Sequence, residues 1–192
     1  MDIYVIRHGQ STANAKKIFA GWGQVPLTEK GVEQARSTRP LLENIKFTKV
    51  IASDLQRAIQ TAQEVLPGYE ITTDARLREI HVGSLEGSAY AEMGAGFLEQ
   101  RDYTPYGGEN ATDHFERVAL FMKSIEREPK DAIIAVVCHE GTINRMLSYI
   151  LKYSVPRNAA PVSNGAVCAF SYRDGVWSLK KWNENGTALI SE

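Results

Sequence analysis

Short β-branched runs alternate with segments of helical period along most of this chain, and that alternation restricts the fold more than any single motif. Residues 2–7 carry Ile3, Val5 and Ile6 and predict a buried strand. Thr28 can cap a helix running to about Asn44, with Val32, Ala35 and Leu42 on one side and Pro40 as a kink or break. Lys49–Ala52 predicts a second strand. Leu55, Ala58, Ile59, Ala62 and Leu66 then recur at helical spacing until Pro67-Gly68, and residues 69–73 predict another strand. Asn110 with Asp113 forms a capping pair ahead of a helical face made of Phe115, Val118, Met122 and Ile125. Ala132 to Cys138 is a continuous apolar run suited to the centre of a sheet, and Ile143, Met146, Leu147, Ile150 and Leu151 give the next helix. Residues 165–171 and 176–182 predict a hairpin around Arg173-Asp174-Gly175. The expected fold is a three-layer α/β sandwich with a mostly parallel central sheet, antiparallel pairing at the C-terminal edge and helices on both faces.

At 192 residues the chain suits one domain spanning 1–192. Residues 80–110 lack a firm period and are rich in glycine and tyrosine, as expected of an insertion that shapes a pocket. A net charge of −1 argues against nucleic acid or an anionic membrane as partner. With no apolar leader and no run near the ~18 residues of a membrane span, a cytoplasmic location is expected. Cys138 and Cys168 lie in apolar runs without metal-ligand spacing and are expected to be buried, reduced thiols. The segment after His139 lacks the second histidine of a zinc-protease helix, so no metal site is expected. Oligomeric state has no signature in the sequence.

Three strands end in residues fit for chemistry: Arg7-His8 after the first, Ser53-Asp54 with Arg57 after the second, and His139 after the apolar run. Ligands of parallel sheets bind beyond the carboxyl ends of the strands, so these groups would converge if the strands are neighbours. Arginine holds phosphate oxygens and neutral histidine can attack phosphorus. Helices starting after such strands also direct backbone N–H groups toward a bound anion.

The order of motifs resembles the histidine phosphatase superfamily, the phosphoglycerate mutase-like group. The matches are Arg7-His8-Gly9-Gln10-Ser11 with Asn14, Gly21-Trp22, Pro26 to Gly31, Ser53 to Ala58 with Thr61-Ala62, Leu77-Arg78-Glu79, Gly83, Glu86-Gly87, Gly107-Gly108-Glu109 and His139. The resemblance implies His8 as a nucleophile that becomes phosphohistidine. Arg7, Arg57 and His139 would complete the phosphate pocket, assisted by Asn14. Glu79 would protonate the leaving oxygen and then activate water, with Glu86 and Glu109 as alternative carboxylates. No cofactor or metal is implied, because arginine and histidine supply the positive charge.

Trp22, Tyr90, Tyr103 and Tyr106 are candidate substrate-pocket residues, and Phe97 either joins them or packs the insertion. His81 and His114 are expected away from the phosphate, His114 on a solvated helix face. Between Tyr90 and Glu109 the only basic residue is Arg101, set against Glu92, Glu99 and Asp102. A second phosphate would find little compensation there, which favours hydrolysis of a small phosphorylated metabolite over a mutase. Glu140 departs from the small residue that many relatives carry after this histidine. It is expected to point outward or to hydrogen-bond nearby groups. A carboxylate aimed into the phosphate site would instead fit a catalytically weak, ligand-binding relative.

Overall fold

The computed structural model describes residues 1–93, 96–97, 101–156 and 159–186. Six strands form one sheet in the order β3-β2-β4-β1-β5-β6: β1 Asp2–Arg7, β2 Lys49–Ala52, β3 Ile71–Thr73, β4 Ile133–Cys138, β5 Val167–Arg173 and β6 Val176–Glu184. β1, β4, β2 and β3 run parallel, while β5 pairs antiparallel with both β1 and β6. The expected antiparallel edge is therefore present. Its turn is the pair Asp174-Gly175, both at positive φ (50° and 80°), which matches the twist of the flanking strands.

Alternate residues of the central strands serve two separate cores. Ile3, Val5, Ile134 and Val136 pack against Val118, Phe121 and Met122 of α4 (Ala111–Ile125) and Ile143 and Met146 of α5 (Glu140–Leu151). Ile6, Ala135 and Val137 face Ala35 of α2 (Glu29–Thr38) and Ala58, Ala62 and Val65 of α3 (Gln56–Val65). With helices on both faces the sheet is the middle of three layers. A small third cluster of Phe19, Ile80, Val82, Leu85 and Tyr103 anchors the 80–110 segment.

Local signals explain most boundaries. Asn110 caps α4 by accepting from the Thr112 and Asp113 N–H groups at 2.9 Å, closing the expected box. Thr28 caps α2 through Gly31 N at 3.1 Å, but α2 stops at Thr38 rather than Asn44. Pro40 lacks an N–H and cannot extend the helix, so residues 39–41 form a 3₁₀ turn instead. α1 (Thr12–Lys16) is capped by Ser11. Cys138 and Cys168 are buried and unbonded to each other. Among the described residues no helix is long and apolar enough to cross a membrane.

Two glycines set how closely the loop after β1 sits against α2. A Cβ on Gly31 would lie 2.1 Å from the Gln10 carbonyl oxygen, and one on Gly9 would lie 2.2 Å from the Gly31 carbonyl oxygen. Backbone cannot yield cheaply at such distances. Gly31→Ala should therefore destabilise the fold by about 1–3 kcal/mol, the usual cost of overpacking, and lower the melting temperature followed by circular dichroism. An unchanged melting temperature would refute this account of the contact.

Candidate active site

The register of β1, β4 and β2 brings the three strand ends level. Arg7 pairs with Cys138 and Ala52 with Val137, so His8, His139 and Ser53 leave the sheet side by side. The His8 and His139 ring centroids are 5.0 Å apart. Arg7, His8, Asn14, Arg57 and Glu79 line one cavity of about 170 Å³ with Tyr90, Arg101, Tyr103, His114, Glu140 and Asn144. A larger cavity of about 810 Å³ lies near Phe115, Tyr149 and Trp177 and contains none of these groups. Converging chemistry, not size, selects the smaller one.

His8 is 4% exposed. Its Nδ1 lies 2.6 Å from the Gly9 carbonyl oxygen, which can only accept, so Nδ1 carries the proton and Nε2 presents a lone pair. Burial first, then the charges of Arg57 and Arg7, hold its pKa well below the ordinary histidine value. The ring is thus a neutral nitrogen base. Its loop is braced twice: Gly9 N–H donates to Thr61 Oγ1 at 3.0 Å, and Asn164 Nδ2 donates to the His8 carbonyl at 2.9 Å.

His139 is fully buried, and its Nε2 lies 2.9 Å from Ser53 Oγ. Ser53 already accepts the Leu55 N–H at 3.4 Å, so its hydroxyl can donate to Nε2, with the proton of the neutral ring on Nδ1. Among the described residues that Nδ1 has no partner, and neither has Arg7 Nε. Two unsatisfied buried donor positions on residues next to His8 are what an oxyanion could satisfy. Burial, then the charge of Arg57, keeps the His139 ring neutral as well.

Arg57 is 1% exposed, and burial lowers its pKa to about 10, still far above neutrality. Its Nη1 and Nη2 donate to the Gly23 and Gly21 carbonyls at 3.0 and 2.9 Å. Arg7 Nη1 donates to the Val162 carbonyl and pairs with Glu140 at 3.0 Å. Glu140 therefore bonds its neighbours, one of the two expected arrangements, and it also lines the cavity. Asn14 spends Oδ1 on the α1 capping box, accepting from Ser11 N at 3.0 Å, which leaves its amide N–H groups as the available donors.

Glu79 is free of the neighbouring cations, since Arg76 pairs with Asp74 and Arg78 forks onto Asp54 at 2.5 and 2.7 Å. Its carboxylate instead accepts from Ile80 N at 2.9 Å and from Gly141 N at 3.0 Å, in the first turn of α5. Only glycine allows that approach, because a Cβ on residue 141 would sit 2.1 Å from Glu79 Oε1. The Glu79 carbonyl is held by Trp22 Nε1 at 2.8 Å and Arg117 Nη2 at 3.1 Å. Glu86 and Glu109 are occupied elsewhere, by the Trp22 N–H and by Arg117 respectively.

Tyr90 and Tyr103 line the cavity, but two expected pocket residues do not. Trp22 buttresses Glu79 from behind, sandwiched near Arg78 (4.6 Å) and His81 (4.5 Å), and Tyr106 is exposed and packs edge-on against Phe97. His114 corrects the expectation of a solvated position. It is 1% exposed and reaches the cavity, because the buried face of α4 runs through His114, Val118 and Phe121 rather than Phe115. The 4-then-3 spacing of those residues was the usable signal. Arg101, Asn144, Gly141 and Arg117 were not among the predicted site residues; their roles depend on contacts made only in the folded chain. Among the described residues no cluster of three or more His, Cys, Asp or Glu could hold a metal ion.

Residues 3–185 match the sequence model of the histidine phosphatase superfamily (branch 1). The chain is 30% identical to phosphoglycerate mutase-like protein 4 of Arabidopsis thaliana, covering 95% of this chain and 85% of that protein. It is 27% identical to the adenosylcobalamin/alpha-ribazole phosphatase of Salmonella typhimurium over 95% and 96% of the two chains. The solved structure of a mycobacterial glucosyl-3-phosphoglycerate phosphatase in complex with VO3 superposes with a TM-score of 0.82 at 28% identity, covering 96% and 99%.

The neutral histidines carry a measurable consequence. Unfolded imidazoles titrate near ~6.5, whereas His8, His114 and His139 are held well below that value by burial. On acidification the unfolded chain takes up protons that the folded chain refuses. Stability is therefore present above about pH 6.5 and declines as pH falls below it. The urea midpoint should be lower at pH 5 than at pH 7; equal midpoints would contradict neutral burial of these rings.

Proposed function

The chain belongs to the histidine phosphatase superfamily (branch 1), and on that premise we propose that it is a metal-independent phosphoric monoester hydrolase acting on a small phosphorylated metabolite. The observation that carries this reading is the neutral His8 sharing one cavity with Arg7 and Arg57, with the His139 ring centroid 5.0 Å from its own.

Phosphoryl transfer needs in-line positioning and neutralisation of the oxygen charges. Arg7, Arg57, His139 and the Asn14 amide hold the phosphate oxygens while His8 Nε2 attacks phosphorus. The phosphorus–oxygen ester bond breaks, the phosphoryl group passes to His8 and Glu79 gives its proton to the departing alkoxide. Glu79, now ionised, takes a proton from water, whose oxygen attacks the phosphohistidine and releases inorganic phosphate. The Glu79 proton is thereby restored. The Ile80 and Gly141 N–H groups fix the carboxyl for both proton transfers.

Cavity size and charge support a small monoester. About 170 Å³ is well below the roughly 300–1,000 Å³ of drug-sized ligand sites. Phosphatase function among the relatives agrees with hydrolysis, and the charge balance supports it over transfer between two phosphorylated positions.

Purified protein should hydrolyse p-nitrophenyl phosphate in the presence of EDTA. His8→Ala should reduce that rate at least about a thousandfold and abolish acid-labile phosphate labelling of the chain. Glu79→Gln should reduce kcat about a hundredfold or more for an alkyl ester, and much less for p-nitrophenyl phosphate, whose leaving group scarcely needs a proton. Full activity of His8→Ala would sink the covalent mechanism, and equal effects on both esters would remove Glu79 from the acid role.

A further inference from the structure

Several polar side chains lining the cavity take no part in that mechanism, among them Glu140 and Asn144. Glu140 and Asn144 lie one helical turn apart on α5 and both line the cavity. Glu140 Oε2 meets Arg7 Nη1 at 3.0 Å, while Oε1 receives the Val162 N–H at 3.5 Å. With its side chain 35% exposed, the carboxylate keeps lone pairs available. Asn144 is 2% exposed, and among the described residues its Oδ1 has no hydrogen-bond partner. A buried acceptor in that condition carries a desolvation cost that a bound donor removes.

His114 adds a third acceptor to the same cavity. Thr142 Oγ1 donates to the Arg78 carbonyl at 2.8 Å and so accepts from His114 Nε2–H at 3.2 Å, which leaves Nδ1 as a lone pair on a neutral ring. Charge points the same way. The guanidiniums of Arg7, Arg57 and Arg101 share the cavity with Glu140, whose carboxylate pairs with Arg7, so one phosphate dianion already balances the positive charge once Glu79 carries the proton it donates. A hydroxyl or ammonium hydrogen on the leaving group would meet the Glu140, Asn144 and His114 acceptors, whereas a further carboxylate or phosphate would meet the Glu140 carboxylate, with Arg101 as its counter-charge.

We propose that Glu140 and Asn144 are specificity-determining residues that select leaving groups bearing hydroxyl or ammonium donors, making the preferred substrate the monophosphate of a polyol or an amino alcohol. This rests on the phosphatase reading above. It also gives the carboxylate after His139 a use beyond orienting Arg7: it repels a second anion.

The test is kcat/KM for the full chain and for Glu140→Gln, Asn144→Leu and Asn144→Ser on four esters: glycerol 3-phosphate, phosphoethanolamine, 3-phosphoglycerate and p-nitrophenyl phosphate. The unmodified protein should prefer glycerol 3-phosphate or phosphoethanolamine to 3-phosphoglycerate by about tenfold or more, the scale of one charge-assisted hydrogen bond. Whichever of the two is better identifies hydroxyl or ammonium as the donor read. Glu140→Gln should shrink the preference about tenfold, and either Asn144 variant should lower the donor-bearing ester relative to p-nitrophenyl phosphate by about the same factor. A merely structural role would scale all four esters together. Unchanged ratios in all three variants, with p-nitrophenyl phosphate still hydrolysed, would overturn this inference and leave the phosphatase reading intact. If the unmodified protein hydrolyses none of the four and His8 gains no phosphate, the reading itself fails and this inference falls with it.

Discussion

Backbone hydrogen bonds along the parallel strands β1, β4 and β2 hold Arg7 level with Cys138 and Ala52 level with Val137. The next residue of each strand is therefore delivered to one edge: His8, His139 and Ser53. The pairing even continues past the strand ends, since His8 N–H donates to the Cys138 carbonyl at 3.0 Å and Ser53 N–H to the Val137 carbonyl at 2.9 Å. Side chains placed on interior strand ends are held more closely than loops alone could hold them. A one-residue slip in either pairing would turn a histidine to the opposite face of the sheet.

In the proposed reaction the same cations would serve binding and nucleophilicity together. Arg7 and Arg57 would draw an anion inward, and their charge helps keep the His8 ring neutral, with its lone pair free for the proposed attack. Burying Arg57 is costly, and the Gly21 and Gly23 carbonyls offset that cost. That loop is in turn held by Glu86 through the Trp22 N–H at 2.7 Å. Removing Glu86 would thus act on phosphate affinity at a distance, through the carbonyls that satisfy Arg57.

How much was legible follows from where the determinants reside. The strand ends and their Arg7-His8, Ser53 and His139 were readable because an apolar run and the polar residue closing it are adjacent in sequence. Glu79 entered through a family resemblance. Its freedom from Arg76 and Arg78 depends on Asp74 and Asp54, a matter of which partner wins in three dimensions. Gly141 looked unremarkable along the chain, yet a methyl group there would collide with Glu79. His114 was misplaced because the helical phase was centred one residue late, on Phe115. Trp22 and Tyr106 were read as pocket residues from composition, which does not distinguish an aromatic lining a cavity from one supporting its wall.

Thr61 has a consequence that reaches beyond its two hydrogen bonds. Its hydroxyl donates to the Arg57 carbonyl at 2.7 Å and receives the Gly9 N–H at 3.0 Å, so one helical turn carries a guanidinium and tethers the nucleophile's loop. Tilting α3 would drag both together and leave their separation nearly constant. In the proposed enzyme, fitting different substrates would then fall to the other lining residues, Tyr90, Arg101 and Tyr103 among them. Evolution could rebuild that part of the lining for new esters without disturbing the spacing between attacking nitrogen and gripping cation.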